Sequence, residues 1–513
     1  MLLPRLYEFY TLVYTLGYHM SEKITLNELK SHLWASANLL RGKIDSSDFK
    51  NYIFGLLFYK RLSDTFDEEH IKLTEKVGAQ MAKQRDMYPH FYLPDNCSWK
   101  DVLAQSTDIG AKINNVFEQI TRDNSPKLDG ILDRIDFNDK EVLSDATLSE
   151  LIQHFNKIPL ANQAVSGDVL GQAYEYLIEQ FADDAGKKGG EFYTPAMVVE
   201  LLVMMLKPQE LESVYDPCCG SGGMLVHAAN NLKQNGKNPV KLFMYGQESN
   251  RNTFVISKMN MFLHGYENAH IERGDTFDDP KHTENGQLKK FDIVLANPPW
   301  NQSNWHQEKW KNEGDPYNRF GFGLPSKSSG DWAWLQLMYA SLNKGGRMGI
   351  VMDNGVLFRG SSEGKIRKQF LEKDLIEAVI GLPGNLFYNT GSPGCLVLFN
   401  DNKPDNRKGK ILVIDASKDY LDAKNQNFLR QEDIDKTAAA FDSFETLERY
   451  CTVADMAEIE ENDYNLNISR YVDTTEPEEP VDIPEVIKNL NELESERKDV
   501  QSKMDDYLKE LNL

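Results

Sequence analysis

Asn297-Pro298-Pro299-Trp300 brings together, in four consecutive residues, groups able to hold an amine. The Asn297 carboxamide oxygen accepts hydrogen bonds. Pro298 lacks an N–H but keeps its carbonyl as a second acceptor. Two adjacent acceptors suit an exocyclic amino group. Pro299 fixes the turn on which they converge, and Trp300 offers a flat face for a base to stack on. The apolar run Phe291-Asp292-Ile293-Val294-Leu295-Ala296 just before them reads as a buried strand. A plain strand-to-loop turn has the same local signature, so the surroundings must decide between the two readings.

Three other acidic positions stand at the ends of short apolar runs. Val214-Tyr215 leads into Asp216-Pro217-Cys218-Cys219-Gly220-Ser221-Gly222-Gly223, and Met224 onward reads as a helix. Glycines there let backbone approach a ligand closely. The spacing is neither G-x-G-x-x-G nor a phosphate-binding loop with Lys-Ser/Thr, and Asp216 suits amine donors better than a pyrophosphate. Leu242 to Gly246 forms the next strand and delivers Glu248, placed for ribose hydroxyls. After a helix from Thr253 to His264, a third short strand brings Asp275, an acceptor for an adenine amino group. Asp216, Glu248, Asp275 and Asn297 thus fall at four successive strand ends. In a parallel sheet those ends line one crevice.

The elements that must hold this crevice alternate strand and helix from about residue 211: an α/β, doubly wound, Rossmann-like domain. Further strands are expected at Gly346–Asp353, Glu377–Gly381 and Cys395–Phe399, with Ile411–Asp415 as an edge element. Residues 301–330 read as a long loop. Its Trp305, Trp310, Lys309, Lys311, Arg319 and Lys327 suit a mobile DNA-contacting segment, or else a plain surface loop. Upstream, residues 20–160 read as a helical domain. Leu26, Leu29, Leu33, Ala37 and Leu40 recur at helical spacing, and so do Ile53, Leu56, Leu57 and Leu62. A polar connection is expected from Asp64 to about Arg85. Gly186-Lys187-Lys188-Gly189-Gly190 breaks a helical segment over 166–185, as a lid or a solvated linker, and Glu191-Phe192-Tyr193-Thr194-Pro195 follows.

At 513 residues and 41% hydrophobic content the chain suits two or three globular domains. Its net charge of −22 argues against a protein that grips DNA unaided, because such surfaces carry a basic stripe. Phosphate contact would then come from local basic patches or a partner. Five scattered cysteines fit reduced thiols in a cytoplasmic protein, and none has metal-ligand spacing. No run is long and apolar enough for a membrane span. Residues 1–19 are apolar and aromatic but lack a cleavage site, and read as a leader or start-site extension. Residues 473–484 are an acidic, proline-containing linker. After it Val486, Leu490, Leu493, Arg497, Val500, Met504, Tyr507 and Leu511 repeat at alternating four and three, a coiled-coil-like seam for docking on a partner helix, with packing on its own domain as the alternative.

The glycine-rich turn at Asp216–Gly223 resembles motif I of S-adenosylmethionine-dependent methyltransferases. Asn297–Trp300 resembles the catalytic motif of amino-methylating DNA methyltransferases, in the motif order of the N6-adenine type. Gly167–Leu177, Gly189–Pro195, Gly381–Phe387 and the helices from Leu33 to Asp64 are similar to the modification subunit of type I restriction–modification systems. The resemblance covers most of 24–470. It implies S-adenosyl-L-methionine as cofactor, double-stranded DNA as substrate, and two partners: a specificity subunit, expected to bind two modification subunits, and a restriction subunit. It assigns Glu191, Phe192, Tyr193, Thr194 and Pro195 to the methionine end of the cofactor. Asp216, Gly220, Ser221, Gly222 and Gly223 fall to its amino-acid and sulfonium region, Glu248 to the ribose and Asp275 to the adenine. Asn297, Pro298, Pro299 and Trp300 are the catalytic set. Cys218-Cys219 stands where the family commonly has small residues such as Ala. Cytosine N4 methylation, methylation of a protein glutamine, and a non-enzymatic scaffold remain alternatives. No segment reads as a target recognition domain.

Overall fold

The computed structural model describes residues 23–41, 43–44, 46–132, 135–185, 194–387, 390–423, 426–475 and 483–511, with the side chains of 46–49 and 183–185 excepted. The leader reading of residues 1–19, the 186–190 break and Glu191, Phe192 and Tyr193 lie outside them. The chain divides into two compact units between Val472 and Asp473.

The first unit is built on a nine-stranded mixed sheet. Its strands are β1 (Ser213–Asp216), β2 (Phe243–Glu248), β3 (His270–Arg273), β6 (Phe291–Ala296), β7 (Leu342–Asp353), β8 (Ile376–Gly381), β9 (Gly394–Asn400), β10 (Lys410–Asp415) and β11 (Cys451–Asp455). A separate two-stranded hairpin, β4 (Thr283–Glu284) with β5 (Gln287–Leu288), lies between β3 and β6 in sequence. The order across the sheet is β11-β10-β8-β9-β7-β6-β1-β2-β3. The half carrying the predicted crevice is parallel throughout: β3, β2, β1, β6 and β7. Two strands break the parallel pattern, since β9 runs antiparallel between β7 and β8, and β11 antiparallel to β10. Ile411–Asp415 is therefore an interior strand, and Cys451–Asp455 forms the edge.

Both faces of the sheet are covered, as expected of buried parallel strands. Period-two alternation shows in β7, where Met348, Ile350 and Met352 join one core and Val351 the other. One face receives helices α6 (Ala196–Leu206), α7 (Gly223–Gln234) and α11 (Gln431–Ser443). The other receives α9 (Asp331–Ala340) and α10 (Ser361–Glu372).

The N-terminal part is helical: α1 (Leu26–Leu40), α2 (Ser46–Val77), α3 (Ile109–Asp123), α4 (Asp145–Phe155) and α5 (Gly167–Ala185). A capping box starts α1, with Thr25 and Glu28 each bonding the other's backbone N–H. The expected polar connection from Asp64 is instead the continuation of α2. Its long polar side chains favour helix, and ion pairs four residues apart join Lys60 to Asp64 and Lys72 to Glu68. The helical core does not stop at the sheet domain. It takes in Val255, Ile256, Met259 and Leu263 of α8 (Arg251–Leu263), the helix that follows β2. The Tyr174 hydroxyl donates to the Ile256 carbonyl at 3.2 Å.

The second unit contains α12 (Ile483–Glu510), a single helix over most of the predicted seam. Among the described residues no helix is long and apolar enough to cross a membrane.

Candidate active site

The parallel half of the sheet ends in a cavity of about 330 Å³. Its lining includes Pro217, Cys218, Gly220 and Ser221 after β1, Glu248 to Asn250 after β2, Asp275 and Thr276 after β3, and Asn297 and Pro299 after β6. Thus Gly220, Ser221, Glu248, Asp275, Asn297 and Pro299 meet in one place. Parallel strands side by side put their carboxyl ends in a common crevice.

Each acid there is oriented by backbone. Gly220 donates its N–H to Glu248 Oε2 at 3.0 Å, and Asn250 donates to Oε1 at 2.6 Å. Phe277 N–H reaches Asp275 Oδ1 at 2.9 Å, and His306 Nε2 lies 2.9 Å from Oδ2. His306 was not foreseen; it comes from the loop after β6. A Cβ on Gly220 would meet nothing within 4 Å, so the turn is open on its ligand side.

Asp216 behaves differently from its expected role. It is 2% exposed and does not line the cavity; its Oδ1 accepts the Cys218 N–H at 3.0 Å. That bond closes the turn two residues on, a local use of an aspartate that strand-end position alone does not distinguish. Burial pushes its carboxyl up to about 8, opposed by the Cys218 N–H and reinforced by Glu248. Gly222 and Gly223 also lie outside the lining. Gly222 has φ +81, and a Cβ there would lie 2.8 Å from both Met261 Cε and Ser257 Oγ of α8. The close packing on α8 and the positive φ together require glycine here. Cys219 is buried with its Sγ 3.7 Å from Ser257 Oγ, whereas Cys218 is half-buried and lines the cavity.

At the Asn297 turn the carboxamide is clamped. Its Nδ2 donates to Thr194 Oγ1 at 2.8 Å, and its Oδ1 accepts Trp300 Nε1–H at 3.0 Å. The indole also reaches the Val351 carbonyl at 3.3 Å, and its ring meets Phe387 edge-on at 4.8 Å. Pro298 is buried behind the turn, and Pro195 caps α6. Beyond Trp300, the Asn301 N–H donates to Asp331 Oδ1 at 2.8 Å, and Arg359 bridges Asn301 Oδ1 and Asp331 Oδ2 at 2.6 Å each. This ion pair anchors the outgoing backbone.

The tryptophans of segment 301–330 do not stand free for stacking on DNA, although Lys311 and Lys327 are exposed. Trp305 and Trp310 are 0% and 5% exposed, and Arg319 is 2% exposed with its guanidinium on Asp315. Trp305 packs on Phe277 and Phe320 and donates to the Ser326 carbonyl at 2.9 Å. Its aromatics therefore form core, which interleaved basic residues had concealed. Sequence reasoning also missed Lys50, Phe54, Ile178 and Phe181, which wall the cavity from the helical part. No motif marks them; only the packing of α2 and α5 against α8 brings them there.

Residues 165–480 match the family model described as N-6 DNA methylase, and residues 29–155 match the HsdM N-terminal domain. The chain belongs to the N-6 DNA methylase family. It is an enzyme of that adenine-specific class, and its N-terminal helices are the family's HsdM-type domain. The type I restriction enzyme MjaVIII methylase subunit of Methanocaldococcus jannaschii is 35% identical over 96% of this chain and 86% of its own length. The HindI methylase subunit of Haemophilus influenzae is 34% identical over 75% of this chain and 88% of its own. The crystal structure of a type I restriction-modification methyltransferase subunit from Streptococcus thermophilus superposes with a TM-score of 0.76 at 33% identity. That match covers 88% of this chain and 100% of the other.

Proposed function

We propose that this N-6 DNA methylase is the modification subunit of a type I restriction–modification complex. It methylates the N6 amine of adenine in double-stranded DNA, using S-adenosyl-L-methionine. The observation that carries the reading is the shared cavity: Asn297, Glu248 and Asp275 all line it. The residues present fit the cofactor. Glu248 and Asp275 are oriented acceptors for a ribose diol and an adenine amine, and the turn at Gly220 leaves open space beside them. Glu191, Phe192, Tyr193, Thr194 and Pro195 are assigned to its methionine end.

When bound, S-adenosylmethionine supplies a methyl group on a sulfonium. The adenine amine is a poor nucleophile because its lone pair is conjugated with the ring. Asn297 Oδ1 and the Pro298 carbonyl accept hydrogen bonds from its two N–H groups and draw the nitrogen toward tetrahedral geometry, freeing the lone pair for in-line attack. A carbonyl oxygen has two lone pairs, so Asn297 Oδ1 can hold the amine and the Trp300 N–H together. Thr194 fixes the opposite end of the same amide. Catalysis is then positioning and electrostatics, without a covalent nucleophile. The base must flip out of the duplex to reach the turn, where Trp300 stacks on it.

Residues 20–160 serve as the helical domain, 161–472 as the methyltransferase domain, 473–484 as linker and 485–513 as the docking helix for the specificity subunit. Two copies per specificity subunit, a restriction subunit in the full complex and a cytoplasmic location complete the proposal. The test is to purify the chain with a specificity subunit, incubate it with methyl-labelled cofactor and duplex DNA, and identify the base. N6-methyladenine is expected. Label on cytosine N4, or none in DNA, would overturn the reading.

A further inference from the structure

The cavity wall opposite the strand ends has its own chemistry. Lys50 is 7% exposed and is the only lysine or arginine among the described lining residues. Phe54, Ile178 and Phe181 contribute apolar surface to the same cavity. Phe54 lies one helical turn on from Lys50, hence on the same face of α2. It is held by the rings of Tyr174 at 4.6 Å and Phe181 at 5.4 Å. Tyr174 in turn bonds the backbone of α8, so this face is tied to the helix carrying Thr253 and Ile256 of the same cavity.

Resting on the proposed use of S-adenosylmethionine, we infer that Lys50 binds the α-carboxylate of that cofactor. The ligand carries two cationic groups, the sulfonium and the ammonium, and a single anion. The strand-end side of the cavity presents Glu248 and Asp275, which suit hydroxyls, amines and cations and repel a carboxylate. The one cationic side chain among the described lining residues comes from the helical part. Little solvent reaches it, so a charge-assisted hydrogen bond there is stronger than one at the surface. The helical part is thereby a wall of the cofactor site and not only an accessory to it. The N-terminus of α7 is the competing holder of the carboxylate, and it makes no use of Lys50.

Decarboxylated S-adenosylmethionine separates the possibilities, because it keeps the nucleoside, sulfonium and amine and lacks only the carboxylate. Both ligands are titrated calorimetrically into the full-length chain. Wild type is expected to favour the carboxylated ligand by about tenfold or more. Lys50→Met should weaken S-adenosylmethionine by about 10–100-fold and the decarboxylated form by less than about threefold, abolishing the preference. Lys50→Arg should keep it. Equal weakening of both ligands, or an unchanged preference, overturns the assignment. If Lys50→Met does not fold, a wild type without preference, or a Lys50→Arg variant that loses it, does the same. A wild type that binds neither ligand removes the cofactor reading itself, whereas normal methylation with a Lys50-independent preference removes only Lys50.

Discussion

At the scale of single residues, the clamp on Asn297 separates chemistry from binding. Its amide is held by Thr194 and Trp300, and its strand is covered on both faces, so truncation leaves the cavity wall at Glu248 and Asp275 in place. Asn297→Ala should reduce methyl transfer by at least about 10³-fold, the scale of losing a preorganised polar group. Cofactor affinity by calorimetry should change less than about threefold; parallel loss of both would refute the role. Asp216 leads to a different measurement. With its folded-state carboxyl at about 8, above the ordinary carboxylate value, the native state retains a proton the unfolded chain has lost. Its neutral form contributes fully at low pH, and that contribution drains away as pH rises from about 4 toward 8. Asp216→Asn keeps the acceptor for Cys218 and removes the titration. The variant should therefore gain on wild type with rising pH, by up to about 1.4 kcal/mol per unit across that window, read from urea midpoints. Parallel stability profiles would show that Asp216 does not titrate there. Both residues stand at strand ends, which is why the sequence marks them. Their different duties depend on which way each side chain turns, and spacing carries no such information.

Elements explain where reading the chain succeeded. Strand-ends in order predict a crevice because parallel pairing is repetitive, and Gly220, Ser221, Glu248, Asp275 and Asn297 met as that geometry demands. Reading failed where a residue's partner lies far along the chain. Lys50 and Phe54 reach the cavity only through the long α2, and β9 inserts antiparallel between strands that precede it. Segment 301–330 failed for a third reason: glycines and charges around tryptophans look the same whether the rings face solvent or a core. Trp305 decides this case. It is fully buried, contacts Phe277 and Phe320, and satisfies its N–H on Ser326. Trp305→Ala should lower stability by about 3–5 kcal/mol through the cavity it leaves. The check is a denaturation midpoint. A variant as stable as wild type but weaker on DNA would restore the exposed-loop reading.

For the whole molecule, the main fact is an imbalance between chemistry and address. The first unit gathers the Asn297 turn and a cavity of about 330 Å³, yet the chain carries a net charge of −22, poorly suited to holding a polyanion alone. Under the proposed function a partner reads the DNA site, and α12 is the element proposed to recruit it. Val486, Leu490, Leu493, Val500, Met504 and Tyr507 follow the heptad seam along one helix, and a single helix cannot bury its own seam. Arg497 interrupts the apolar series, a feature that in coiled coils selects partners at some cost in stability. Deleting residues 485–513 should then reduce co-purification with the specificity subunit by at least about tenfold, as expected for losing a helical interface. Cofactor affinity should stay within about threefold, because every lining residue of the cavity lies before residue 335. Methylation of DNA would fall with assembly and recover at high concentrations of the specificity subunit, by mass action. Undiminished assembly would assign recruitment to the first unit, and loss of cofactor binding would make the seam part of the enzyme's own fold.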